Sequence, residues 1–169
     1  FLSLSPAVFG QKNQVNFIRE RHLKIREMIQ DNKLYRNEFR RNAQQHKWNE
    51  AYQGQKTESY FFRLSNQQKP ILTLIQVRED SLDFYYELEF LYDRLGNLLF
   101  VKEQAQHPSF PYRVLEAFFQ REQLLMFSRD DVITNSSTVF ESKKVRALLD
   151  KAHLYYQKFI AQFRFFPEN

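Results

Sequence analysis

The stretch FYYELEFLYDRLGNLLFVKEQ, residues 84–104, decides the fold. Phe84, Tyr86, Leu88, Phe90 and Tyr92 alternate with Asp83, Tyr85, Glu87 and Glu89, the period of two that a strand with one apolar and one wetter face produces. The run stops at Asp93-Arg94-Leu95-Gly96. There the Asp93 carboxylate can accept from the turn amides, and Gly96 can take the positive φ of a type I turn with a bulge. Leu98 to Gln104 then returns antiparallel. A three-residue loop sets Phe90 opposite Phe100; a four-residue loop pairs Glu87 with Lys102 and Phe90 with Leu99. Both registers satisfy the pattern.

Outward from this hairpin the same period recurs. Tyr60, Phe62 and Leu64 alternate with Ser59, Phe61 and Arg63, and SNQQKP (65–70) is a turn whose Pro70 suits a strand start. ILTLIQV (71–77) reads as a strand buried on both sides. Downstream, HPSFP (107–111) breaks the chain, PYRVLEAFF and LLMFS read as two further strands, and SRDDVITNSS reads as a loop. Thr138 and Glu141 form a capping box. Behind it Val145, Leu148, Ala152, Tyr155, Phe159 and Phe163 mark one buried stripe, predicting a helix over about 139–164.

Upstream, Val15, Ile18, His22, Ile25 and Ile29 recur at spacings of three and four, the stripe of an amphipathic helix that Asp31-Asn32 stops. Residues 33–57 hold few apolar side chains, and helical continuation competes there with an irregular path. The polar surround and Gly54 favour the irregular path, since little can be buried to offset the ordering entropy. The expected organisation is therefore an N-terminal helix over 11–32, an irregular basic crossing segment over 33–57, and an antiparallel sheet plus C-terminal helix over 58–169, one domain from 11 to 169. The fold class is α+β: a five- or six-stranded antiparallel meander with a long C-terminal helix packed on one sheet face. With both helices on that face, the other is left over. Phe61, Leu91, Phe119 and either Leu98 or Leu99 would populate it, more apolar area than a monomer leaves wet, so the crossing segment or another chain should cover it.

Residues 1–10 (FLSLSPAVFG) read as the remnant of a signal peptide, with an apolar run and small residues at Val8 and Gly10 ahead of Gln11. That predicts a periplasmic or secreted protein. No apolar run approaches the roughly 20 residues of a membrane-spanning helix.

Composition removes much chemistry. The 169 residues include no Cys, so disulfides, thiolate metal sites and a cysteine nucleophile are excluded. Gly10, Gly54 and Gly96 are the only glycines, too few and too scattered for a phosphate-cradling loop. His22, His46, His107 and His153 lack metal-ligand spacing, and no serine sits in a nucleophile motif. Glu87 and Glu89 share a strand face and could act as an acid–base pair, but such rows are ordinarily solvated faces. His22 reads as a core or boundary imidazole. No catalytic residue, cofactor or metal is expected.

The net charge of +5 is local. Residues 19–47 carry nine Lys or Arg against four Asp or Glu, and nine minus four equals the surplus of the whole chain. Within it Arg36, Arg40, Arg41 and Lys47 are the candidates for holding an acidic partner or anionic surface, beside Tyr35, Phe39 and Trp48. Nucleic acid is disfavoured, because export separates the protein from it. The expected function is a non-enzymatic exported binding module, acting through a sheet face or the basic arm on a protein partner or a second copy. The alternative is a small-molecule or lipid binder with an aromatic pocket of Tyr86, Phe90, Phe100, Phe118 and Phe159 between sheet and C-terminal helix.

Three stretches, NFIRERHLKIREMI, the hairpin quoted above and PYRVLEAFFQREQLLMF, resemble a group of uncharacterised exported proteins of Bacteroidetes-type bacteria. Tyr92, Asp93, Gly96, Asn97, Leu98 and Phe100 match the hairpin of that group, and the likeness spans about half the chain. It implies an exported protein with a helix ahead of an aromatic-rich meander, and it implies no activity or catalytic residue. The basic segment after the first helix and the long aromatic C-terminal helix depart from the group's pattern.

Overall fold

A computed structural model describes residues 6–42, 54–81, 84–107, 110–134 and 139–163. The elements follow in chain order: α1 (Pro6–Gln30), β1 (Tyr35–Arg41), β2 (Gln55–Leu64), β3 (Pro70–Asp80), β4 (Tyr85–Tyr92), β5 (Leu98–Gln106), β6 (Val114–Gln120), β7 (Gln123–Arg129), β8 (Val132–Thr134) and α2 (Val139–Gln162). All eight strands form one antiparallel sheet in the order β1 to β8. The class is α+β as expected, but with eight strands rather than five or six.

The additional strands are the two edges. β1 lies in the segment expected to be irregular, and β2 also begins inside it at Gln55. Tyr35 stacks on Phe62 at 5.6 Å and Phe39 meets Tyr60 edge-on at 6.0 Å, so β1 gains ring contacts that its composition hides. β8 lies in the stretch read as a loop. It is entered through Asp130 and Asp131, both at positive φ (47° and 66°), the backbone of a two-residue hairpin turn that Asp tolerates.

The hairpin at 93–97 has the expected turn. Gly96 N–H donates to the Asp93 carbonyl at 3.3 Å, Gly96 takes φ 86°, and Asp93 Oδ1 accepts from Leu95 and Asn97 N–H at 2.8 and 2.9 Å. Its loop has three residues, yet Phe90 faces Val101 instead of Phe100. The reason is a bulge: Leu91 pairs with Phe100 and Tyr92 with Leu98, leaving Leu99 as the extra residue.

The helices sit on opposite faces of the sheet, which corrects the expectation of a single covered face. α2 lays Leu148, Ala152, Tyr155 and Phe159 on Tyr60, Phe62, Ile75, Leu88, Phe90 and Phe119. α1 lays Val15, Ile18 and Ile25 on Phe61, Leu74, Leu91, Phe100 and Phe118 on the other side, with Leu99 beside them. The face left over in the sequence reading is thus closed by α1. Leu98 and Phe119, expected there, belong to the α2 side.

α1 starts at Pro6, earlier than Gln11, and proline is favoured in a first helical turn because its missing N–H has no helical partner to lose. It stops where predicted. Asn32 takes φ 54°, its N–H donates to Ile29 O at 3.1 Å, and Lys33 N–H donates to Met28 O at 2.8 Å, a double closure of the last turn. The capping contacts expected of Thr138 and Glu141 lie outside the described residues, as does Pro167.

Candidate functional site

The five aromatics proposed as a pocket do not share one. Tyr86, Phe90 and Phe159 lie on the α2 side, whereas Phe100 and Phe118 lie on the α1 side. Phe90, Phe100, Phe118 and Phe159 are all buried in ordinary packing. Residue alternation along β4 and β5, interrupted by the Leu99 bulge, decides this division.

The basic-arm residues separate as well. Arg36 and Arg40 flank Glu38 on the α1-facing side of β1, with Arg40 Nε donating to Glu38 at 2.6 Å and Arg36 at 3.5 Å from it. Arg41 projects to the opposite face by strand alternation. Lys47 lies outside the described residues.

Glu87 and Glu89 are brought together under α1 with a residue read as a bland core group. His22 Nε2 lies 2.8 Å from Glu89 Oε2, Arg26 donates to Glu89 Oε1 at 2.5 Å, and Gln76 donates to Glu87 and Glu89 at 2.5 and 2.9 Å. Arg78 reaches Glu87 at 3.4 Å and the Tyr85 hydroxyl donates to its other oxygen. Burial alone would raise the Glu89 carboxyl, but the His22 hydrogen bond and the Arg26 charge outweigh it and hold the group down to about 2. Burial, then the Glu87 hydrogen bond, pushes Tyr85 up to about 12. All four carboxylate oxygens have protein partners, so the cluster pins α1 to the sheet and offers a substrate no free base. The pairing spans 67 residues of sequence, and no local pattern signals it.

A second buried carboxylate, Glu103, does the same for α2. It accepts from the Tyr86 and Tyr112 hydroxyls at 2.7 and 2.6 Å, with Lys144 at 2.5 Å. Burial opposes ionisation here too, and the Lys144, Tyr112 and Tyr86 contacts keep the carboxyl below its ordinary value.

A further charged arrangement is cationic. At the α1 end where the β2–β3 and β4–β5 turns meet, a groove of about 730 Å³ is lined by Arg21, Lys24, Arg63 and Arg94, with Glu20 and Asp93 as the acidic members. None of the four cations makes a salt bridge among the described residues. Arg21 donates to the Tyr92 carbonyl at 3.3 Å, while its Nε is buried with no partner. Burial lowers its affinity for the proton, Asp93 opposes that, and the charges of Arg63 and Arg94 add to it. The charges of Arg63 and Arg94 thus reach Arg21, each more weakly than the opposing charge of Asp93. Both Asp93 oxygens are held by the turn, through Leu95 N–H, Asn97 N–H and the Asn97 side chain. Arg21 and Lys24 fall off the apolar stripe of α1, and no local pattern joins them to Arg63 and Arg94.

Another groove, of about 720 Å³, runs between α2 and the ends of the β4–β5 and β6–β7 hairpins. Its Arg146 is balanced by Asp150 and Glu122, and it holds no surplus charge of comparable size. Among the described residues no group of three or more His, Asp or Glu could hold a metal ion, and no helix is long and apolar enough to cross a membrane. No protein-family model matches this chain, and no curated protein or solved structure matches it either.

Proposed function

We propose that the chain is a non-enzymatic binding protein of the periplasm or the cell exterior, and that it takes anionic ligands in the groove of Arg21, Lys24, Arg63 and Arg94. Export rests on the resemblance of the hairpin to exported proteins. The observation that carries anion binding is the convergence of four cations without a salt-bridge partner around the orphaned Arg21 Nε. Concentrated like charge destabilises the folded chain, and an oxyanion relieves it with charge-assisted hydrogen bonds. This reading is preferred to the sheet face, which α1 covers, and to Arg36 and Arg40, which share Glu38 and keep one net positive charge.

Thermal unfolding with increasing inorganic pyrophosphate, at ionic strength matched with chloride, tests this. A ligand of the folded state raises Tm with the logarithm of its concentration. The rise should shrink by more than half in the Arg63→Gln, Arg94→Gln double variant. An equal rise in wild type and variant, or none in either, defeats the proposal.

A further inference from the structure

We infer that the natural ligand of this groove is an amphiphile with a phosphate-monoester head, a reading that rests on the anion-binding proposal above. Charge sets the head. Arg21, Lys24, Arg63 and Arg94 against Glu20 and Asp93 leave four minus two, a surplus of +2 in one groove. A phosphate monoester carries about −1.5 to −2 at neutral pH and neutralises that surplus, whereas a carboxylate leaves half of it in place. Geometry agrees with charge. Guanidinium groups present planar forks that match phosphate oxygens, and three of them, from Arg21, Arg63 and Arg94, line the groove.

The walls set the tail. Phe17 is 62% exposed and Leu64 37% exposed at the rim, with Ile25 buried behind them. A large aromatic standing in water beside a cluster of cations gains nothing from folding. It gains from an apolar group laid along it once the head is held. At about 730 Å³ the groove exceeds what an inorganic ion fills and lies in the range of small-ligand sites. Ser65 and Thr73 also line the groove.

Calorimetric titration of the full chain near neutral pH with inorganic phosphate, octyl phosphate and octanoate, each below its micelle concentration, tests head and tail separately. Octyl phosphate should bind at least tenfold more tightly than inorganic phosphate and at least tenfold more tightly than octanoate. Phe17→Ala should weaken octyl phosphate alone, about fivefold, and Arg63→Gln with Arg94→Gln should weaken both phosphates. Equal affinity for octyl and inorganic phosphate overturns the tail and leaves anion binding standing; equal affinity for octanoate and octyl phosphate overturns the dianionic head. Octyl phosphate binding unchanged in the arginine variant places the ligand elsewhere and overturns the inference, and no binding by any of the three defeats the anion reading with it. Flotation with vesicles containing a phosphomonoester lipid separates the sources. Recruitment that Phe17→Ala weakens supports a membrane headgroup, and octyl phosphate binding without recruitment supports a free amphiphile.

Discussion

The two faces of the sheet are closed by helices of similar length in different ways. On the α2 side the contact is aromatic: Phe159 sits 5.7 Å from Phe62, 6.3 Å from Tyr60 and 4.9 Å from Phe163, and Phe90 packs 5.8 Å from Tyr155. Three carboxylate–lysine pairs accompany it: Glu103 with Lys144 and Glu58 with Lys158, both carboxylates buried, and the half-buried Glu79 with Lys56. On the α1 side the apolar patch is smaller and the ion network lies within the interface, through His22, Arg26, Glu87 and Glu89. Apolar burial is indifferent to pH and salt, whereas ionic closure responds to both. The cations of the Arg21 groove, none of them in a salt bridge among the described residues, also belong to the α1 side.

The largest expected effect breaks the aromatic face. Phe159→Ala removes a ring that is 1% exposed and touches three others, and should cost about 3–5 kcal/mol in urea unfolding. A loss below about 1 kcal/mol would mean that this face is not the main core. The next effect sharpens the contrast through pH. Glu89→Gln removes the buried carboxylate that His22 and Arg26 share, leaving Arg26 only Glu87 at 3.8 Å, and should cost about 3 kcal/mol at neutral pH. The folded carboxyl titrates near 2 against an ordinary 4.5, so its stabilisation is complete above about 4.5 and is lost as pH falls through about 2. Urea unfolding across that window should show a shallower pH slope for Glu89→Gln than for wild type. Part of the slope should persist, because Glu103 is also held below its ordinary value. Parallel slopes would show that α1 is not held by this carboxylate.

How far these faces were legible depends on where polar residues mark the chain. The period-two run through β4 and the turn residues Asp93 and Gly96 stand in the sequence unambiguously, and so does the α2 stripe from Val145 to Phe159. Register was hidden wherever an apolar run is continuous. Bulges at Leu99 and Leu125 each insert a residue inside such a run, switching faces with no polar side chain to record it, and the bulge at Thr73 is marked only by a buried threonine. β1 was missed because, as an edge, it leaves Tyr35 and Phe39 about half exposed, and its other face is Arg36, Glu38 and Arg40. The apolar residues left on the second sheet face and the stripe of α1 were both visible; their match required knowing that the helix crosses to that side. His22 with Glu89, and Arg21 with Arg63 and Arg94, join distant segments, which periodicity does not encode.

The smallest effect tests whether buried and exposed charge on α1 differ in kind. Arg19 pairs with Glu116 at 3.1 Å, but its side chain is 45% exposed and that of Glu116 is 24% exposed. Water and salt screen such a pair, so the ionic contribution should stay below about 1 kcal/mol. Arg19 also lies 4.9 Å over the Phe118 ring, which is fully buried, and its aliphatic stem shields that ring. Arg19→Met keeps the stem and removes the charge, so unfolding should change by no more than about 0.5 kcal/mol, and added salt should remove most of the difference. A loss above about 2 kcal/mol that survives high salt would put the rim charge on a par with Glu89. The α1 face would then be held by charge along its length, and the distinction between an ionic anchor at His22 and a solvated edge at Arg19 would fail.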